Sequence, residues 1–469
     1  MMITLNLALR NLMRNRRRSL ATLVAMSIGC AAILLFGGFS GDINKEMHTR
    51  IVQKGGHLQI QHRDFYLYGS GNPTAYGIDD YVSIIDAINS DEELKKMLLV
   101  ATPTLQFGGI AGNYAASVSR TVMGNGFIAE DINRLRNWND FGLRSTGPPS
   151  ALEGTSPDSA VVGMGVARVL QLCESLKVDR CTMPEKEPEA DGKALPDDIA
   201  QLSVQESKSI GAVNNGGGEG SGRIEVLVVN SKGAPNVTSL NVVRAEDQGV
   251  KELDEITVVM HLAKIQRLVY GKSPPKVTSI ILQLRHSDQI DIAEARLKPI
   301  VDRFSSRQPL AILNFRSLNP FYVQTVQMFD TIFGFVFILI GAIVLFTVSN
   351  TMNTAVVERT VEIGTLRAIG LRRAGIRQLF VTEGALLGIC GAFLGVVLAI
   401  AAAALINWMF ILWVPPSTVE PVPVTILVLG EIGMIIGTTV GLICIAIVSA
   451  WWPAYRAAQL NVVDALRHI

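Results

Sequence analysis

No loop of the form Gly-x-x-x-x-Gly-Lys-Ser/Thr occurs in these 469 residues, so the chain lacks the usual backbone cradle for a triphosphate. A Gly-x-Ser-x-Gly elbow, a His-Glu-x-x-His pair and zinc-finger spacing are missing too, which removes the main sequence signatures of hydrolases and metalloenzymes. Gly163-Met164-Gly165 begins like a dinucleotide loop, but Arg168 stands where the third glycine belongs. Histidine is sparse, and His57 and His62, five apart in a strand-like segment, point to opposite faces. Neither a catalytic residue nor a metal site is expected. Net charge is only +1, which gives no global attraction to nucleic acid. Cysteine is scarce: Cys30, Cys390 and Cys444 lie in apolar runs and read as small hydrophobes.

What the chain has is apolar residue, 49% of it, at a mean hydropathy of +0.33, too much for an ordinary soluble protein of this length. The apolar residues are concentrated. Residues 20–39, 331–350, 385–414 and 432–452 are long apolar runs, each sufficient to cross about 30 Å of hydrocarbon at about 1.5 Å per residue. The first is too long for a usual signal-peptide core, and no small-x-small cleavage site follows it. Arginines mark the sides: Arg10, Arg14, Arg16, Arg17 and Arg18 precede the first run, and Arg359, Arg367, Arg372, Arg373 and Arg377 separate the second from the third. Arg456 and Arg467 follow the fourth, whereas 415–430 has no Lys or Arg. By the positive-inside rule the ends and the middle loop are cytoplasmic.

The expected fold class is therefore an α-helical membrane protein with four transmembrane helices and a large mixed α/β extracytoplasmic domain inserted between the first two. The layout reads as a cytoplasmic interfacial helix at 1–18, a first span at 19–40, the α/β domain at 41–327 and a second span at 328–352. A cytoplasmic segment at 353–383, a third span at 384–414, a short outer loop at 415–430, a fourth span at 431–452 and a cytoplasmic tail at 453–469 complete it. Leu5, Ala8, Leu9 and Leu12 recur at helical spacing ahead of the first span, consistent with an interfacial helix or with a basic anchor lacking structure. Asp330 and Glu431 fall at outer span ends, where water reaches them.

Within the domain, strand-like segments at 56–61, 99–107, 116–123, 160–163, 223–230, 238–244, 255–260 and 277–284 alternate with helix-like ones at 81–96, 128–137, 164–172, 261–270 and 288–304. Residues 182–222 carry Pro184, Pro188, Pro196 and a Gly-rich run, a composition that reads as a mobile insert, with two subdomains split by it. Cys173 and Cys181 are the two cysteines outside the apolar runs, and an oxidising compartment favours a disulfide between them over free thiols. Gly433, Gly437 and Gly441, together with Gly384 and Gly388 and with Gly391 and Gly395, repeat at four-residue spacing and permit close helix packing, within the chain or against a second copy.

Between the second and third runs, Val357, Val361, Gly364 and Ala368 form a small apolar stripe, with Glu358, Arg359, Glu362 and Arg367 around it. Such a helix suits either a protein socket or the inner headgroups. The segment resembles the MacB and FtsX type of ABC permease, whose pattern Glu-Arg-x-x-Glu-Ile-Gly-x-Leu-Arg-Ala-x-Gly is matched in register by Glu358, Arg359, Glu362, Ile363, Gly364, Leu366, Arg367, Ala368 and Gly370. Arg10-Asn11-Leu12 with Arg16–Arg18, the Gly56-His57-Leu58-Gln59-Ile60 stretch, and Pro453-Ala454-Tyr455-Arg456-Ala457-Ala458 through Asp464-Ala465-Leu466-Arg467 agree with the same family. The Gly-His-Leu-Gln-Ile stretch looks most like its lipoprotein-releasing branch; the macrolide-exporter branch usually carries its ATPase ahead of the first span, and the long insert departs from both.

The resemblance implies mechanotransmission. Two permease copies or paralogues would bind two ATPase subunits, which hold the ATP and Mg while this chain binds no cofactor. Closure of the ATPases would move the matched cytoplasmic segment and, through stalk-like extensions at 42–52 and 322–330, the outer domains. A lipophilic or lipidated substrate would be released or exported, with a periplasmic carrier or outer-membrane partner, from a bacterial inner membrane and its lipid bilayer. A signalling permease that regulates an extracytoplasmic hydrolase is the alternative.

Overall fold

A computed structural model describes residues 2–14, 16–143, 148–178, 222–414 and 421–460. The chain divides into two compact units: Met1–Met47, Phe321–Trp413 and Val422–Ile469 form the first, and His48–Pro320 with Val414–Pro421 the second. In chain order, α1 (Met2–Arg14) and α2 (Arg16–Gly55) come first, followed by the α/β elements. The helical part then resumes with α9 (Pro320–Glu358), α10 (Thr360–Ala368), α11 (Arg373–Met409) and α12 (Ile432–Gln459).

The α2, α9, α11 and α12 helices are long and apolar enough to cross a membrane. At about 1.5 Å per residue, the 40 residues of α2 and the 39 of α9 run to roughly 60 Å, about twice a hydrocarbon core. Residues 42–52 and 322–330 are helical continuations of α2 and α9.

The glycine repeats explain how the first unit packs. Facing Met26 and Cys30 of α2, Gly391 and Gly395 of α11 leave no room for side chains: a Cβ at Gly391 would lie 2.8 Å from Met26 Cβ, and one at Gly395 would lie 2.9 Å from Cys30 Sγ. On the other side of α11, Gly384 and Gly388 face Ala450 and Ala446 of α12, at 2.5 and 3.0 Å by the same measure. Without Cβ atoms the backbones approach closely enough for Ser27 Oγ to donate to Gly391 O at 3.1 Å. Gly441 meets the Phe337 ring of α9, whereas a Cβ at Gly433 or Gly437 would have no neighbour within 4 Å among the described residues. At the start of α12, Glu431 is not merely solvated, since it pairs with Lys45 at 2.7 Å; Asp330 is exposed.

Among the described residues the second unit holds nine strands: β1 (Leu58–His62), β2 (Leu98–Asn113), β3 (Val118–Phe127), β4 (Ser159–Gly163), β5 (Arg223–Val229), β6 (Pro235–Glu246), β7 (Thr257–His261), β8 (Ser279–Leu284) and β9 (Leu310–Asn314). Its main helices are α3 (Tyr81–Asn89), α4 (Glu92–Met97), α5 (Ala129–Arg136), α6 (Met164–Val169), α7 (Leu262–Tyr270) and α8 (Ile290–Ser305). The expected helix at 81–96 is two helices, because Asp91 leaves the helical conformation and its carboxylate accepts from the N–H groups of Glu93 and Leu94 as a new N-cap. The pattern did not announce β9.

The 16-residue strand β2 organises the sheet. Its first half pairs with β8, continuing through β1 to β9, all antiparallel. Its second half pairs with β3 on one edge and β5 on the other, and the pairings β3–β7, β7–β4, β4–β6 and β6–β5 close a ring of six strands. The expectation of two subdomains split at 182–222 is therefore corrected. Strand β4, before that segment, pairs with β6 and β7, after it, so the segment interrupts one ring; the two sheet regions share β2 instead. The 182–221 part of the insert lies outside the described residues, as does Cys181; Cys173 is buried.

Candidate functional site

The matched segment lies wholly in the first unit, where α9 gives way to α10. Helix α9 ends at Glu358, and Arg359 leaves the helical conformation at φ −107°, ψ 18°, so that two helices stand where the pattern suggested one. At the far end Gly370 takes φ +104°, which an L side chain rarely adopts. Its N–H donates to Arg367 O at 3.0 Å and the Leu371 N–H donates to Leu366 O at 3.0 Å, the bond pattern of a Schellman stop. Gly370 of the motif is thus a helix terminator that turns the chain into α11.

Burial picks a different face from the apolar stripe. Ile363 and Gly364 are buried and Leu366 packs beside the helix core, while Val357, Val361 and Ala368 are exposed and Ile369 is 79% exposed. The motif residues therefore divide: Ile363, Gly364 and Leu366 hold α10 to the bundle, and an apolar edge faces outward.

The motif charges are engaged within the chain. Glu358 receives two guanidinium hydrogen bonds from Arg18, at 2.6 and 2.8 Å, and Glu362 receives two from Arg14, at 2.6 and 3.4 Å. Both pairs are exposed and screened by water, so each adds little by itself, but they connect α1 and the start of α2 to this segment. Arg367 donates to the Leu460 carbonyl just after α12.

Arg359 points inward. Its Nη1 lies 3.0 Å from Glu383 Oε1 and its Nη2 donates to Asn11 O at 3.1 Å, while Asn11 Nδ2 donates to the same Glu383 oxygen at 2.6 Å. Arg359 is 7% and Glu383 2% exposed. The sequence placed Asn11, on the buried side of α1 beside Ala8, in a family-like stretch without assigning it a role, and did not single out Glu383, in the first turns of α11. Each carried a signal, a polar residue interrupting an otherwise apolar helical face.

Nothing in this cluster is arranged as a nucleophile with its base, and among the described residues no group of three or more His, Cys, Asp or Glu could hold a metal ion. What the site can do is bind: it presents an apolar edge on a helix that is anchored at both ends.

The FtsX-like permease C-terminal family matches residues 331–462, which contain this whole segment. The macrolide export ATP-binding/permease protein MacB of Neisseria gonorrhoeae is 27% identical over 237 residues, covering 49% of this chain and 33% of that protein. ABC transporter permease YtrF of Bacillus subtilis is 30% identical over 146 residues, covering 29% of this chain and 30% of that one. These matches span about a third of each relative's length. The solved periplasmic region of MacB from Actinobacillus actinomycetemcomitans aligns with 57% of this chain and 94% of its own at 12% identity, but the TM-score of 0.31 is too low to carry an argument.

Proposed function

We propose, for a chain that belongs to the MacB/FtsX type of ABC transporter permease, that it is a coupling subunit: a separate ATPase docks on α10, and ATP-driven movement of that helix is passed along α2 and α9 to an extracytoplasmic α/β domain. The observation that carries the reading is the group of exposed apolar residues Val361 on α10, Val357 at the end of α9 and Ile369 capping α10, around a helix tied into the bundle by ion pairs and a Schellman stop. An exposed apolar strip framed by charge is the usual mark of a protein-binding surface. The arginines near the inner ends of the apolar helices support a cytoplasmic position for α10 and an outer position for the α/β domain.

ATP and Mg would then reside on the partner ATPase. A second permease chain would complete a pair, and Gly433 and Gly437, open on the surface of α12, are available for such packing. The substrate class that fits the Gly56-His57-Leu58-Gln59-Ile60 resemblance is a lipophilic or lipidated molecule, released or exported on the outer side of a bacterial inner membrane. A periplasmic carrier or outer-membrane partner would receive it.

Placing Asp at Val357, Val361 and Ile369 together tests the docking surface without touching the ion pairs. Copurification of a co-expressed ABC ATPase that binds the unaltered chain should be lost while membrane insertion and the melting temperature persist. Undiminished copurification would overturn the assignment. Reversing Glu358 and Glu362 is a poorer test, since it also unties Arg18 and Arg14.

A further inference from the structure

The ion pair between Arg359 and Glu383 is out of proportion to a surface docking site. Two ionised groups, 7% and 2% exposed, have been taken out of water at the inner end of a helix bundle, and Arg359 Nε is left without a hydrogen-bond partner among the described residues. Well-packed apolar residues of similar volume often serve stability as well as a buried pair does, so such a pair is weak as a stabiliser, and in some proteins its role is to fix one arrangement.

Its location says what is being fixed. Arg359 is the one residue between α9 and α10, and it is non-helical. An unrestrained joint there would let a push on α10 bend the chain rather than move α9. Arg359 instead reaches Glu383 on α11 and the Asn11 carbonyl on α1, and the Asn11 amide closes the triangle by donating to Glu383. Three elements far apart in sequence, α1, the α9–α10 joint and α11, are tied through one carboxylate.

We infer that Glu383 is a positioning residue that locks the α9–α10 joint to α11 and α1, so that force applied to α10 moves them as one lever. This rests on the reading of α10 as the ATPase-docking helix. Glu383 acts through Arg359.

The test uses the full chain with its ATPase, reconstituted in lipid nanodiscs, with genetically encoded spin labels at Thr365 on α10 and Gln378 on α11. In the otherwise unaltered chain the distance distribution should be narrow and the same without nucleotide as with ATP trapped. Glu383→Gln should broaden it several-fold and make it nucleotide-dependent, retain ATPase copurification, and reduce ATP turnover in the nanodiscs by tenfold or more. The charge swap Arg359→Glu with Glu383→Arg should narrow the distribution again, a rescue that loss of general stability would not give. Should Glu383→Gln fail to fold, Asn11→Ala, which removes one donor to the same carboxylate, is expected to broaden the distribution by a lesser amount, and the swap supplies the rescue arm. A narrow, nucleotide-independent distance in Glu383→Gln, or in both Asn11→Ala and the unrescued single variants that fold, would overturn the lever. Loss of ATPase binding by the unaltered chain would instead overturn the docking reading, and the nucleotide-free distances would still decide the lock.

Discussion

His57 Nδ1 accepts the backbone N–H of Leu284 at 3.0 Å, which leaves its Nε2 to carry the ring proton and donate to Ser287 Oγ at 3.2 Å. The imidazole is fully buried where β1 begins, and burial, helped by neighbouring His48 and opposed by Asp140, pushes its pKa down from 6.5 to about 3. Protonation would put a second N–H against the Leu284 donor and a charge in the core.

The sign of the pH dependence follows. The unfolded chain protonates this ring near 6.5 and the folded one only near 3, so the contribution is fully present above about pH 6.5 and declines as pH falls toward 3. The slope within that window is about 1.4 kcal/mol per pH unit for one such group. His286, raised by its hydrogen bond to Asp140, works in the opposite sense. The melting temperature should therefore fall between pH 7.5 and pH 5, and His57→Gln, which keeps an acceptor but cannot titrate, should flatten the fall. An equally steep decline in His57→Gln would place the pH sensitivity elsewhere.

The α11 glycines predict a contrast. Gly395→Val drives a side chain into Cys30 and the Ser27 carbonyl, overpacking that costs roughly 1–3 kcal/mol or more. Thermal unfolding in detergent should show a clear drop. Gly437→Ala points into open space and should leave the isolated chain unchanged; a large loss there would reveal a second copy packed on α12.

Gly370→Ala should strain the stop after α10, since a left-handed residue with a Cβ costs about 1–2 kcal/mol. Hydrogen exchange of the Ile369, Gly370 and Leu371 amides would report it, and unchanged protection would show that the turn relaxes without cost.

Cys173 and Cys181 are expected to be joined, closing a short loop that constrains the unfolded chain by about 2–3 kcal/mol. Peptide mapping without reductant should recover them as one linked pair, and two alkylatable thiols would end the idea. Removing residues 184–220 should leave folding intact; lost ATPase stimulation in a folded, trimmed chain would make that segment a contact with a partner.

The sequence by itself determined the four long helices, most strand and helix positions of the α/β domain, and the family segment. Those are local properties: apolar run length, alternation by two or by 3.6, and a motif contiguous in the chain. It did not reveal β9 or the closing of the ring through β2, because strand pairing is decided by partners far away in sequence; the break at Asp91 is a local N-cap that helical periodicity alone does not register. The motif was legible but its roles were not. Periodicity put Val357 and Val361 on the same stripe as Gly364, yet only the bundle decided that Gly364 turns inward while the two valines face out. Asn11 and Glu383 became partners of Arg359 for the same reason: a buried charge must find its partners in three dimensions, and a sequence separation of 372 between Asn11 and Glu383 hides that pairing from any local reading.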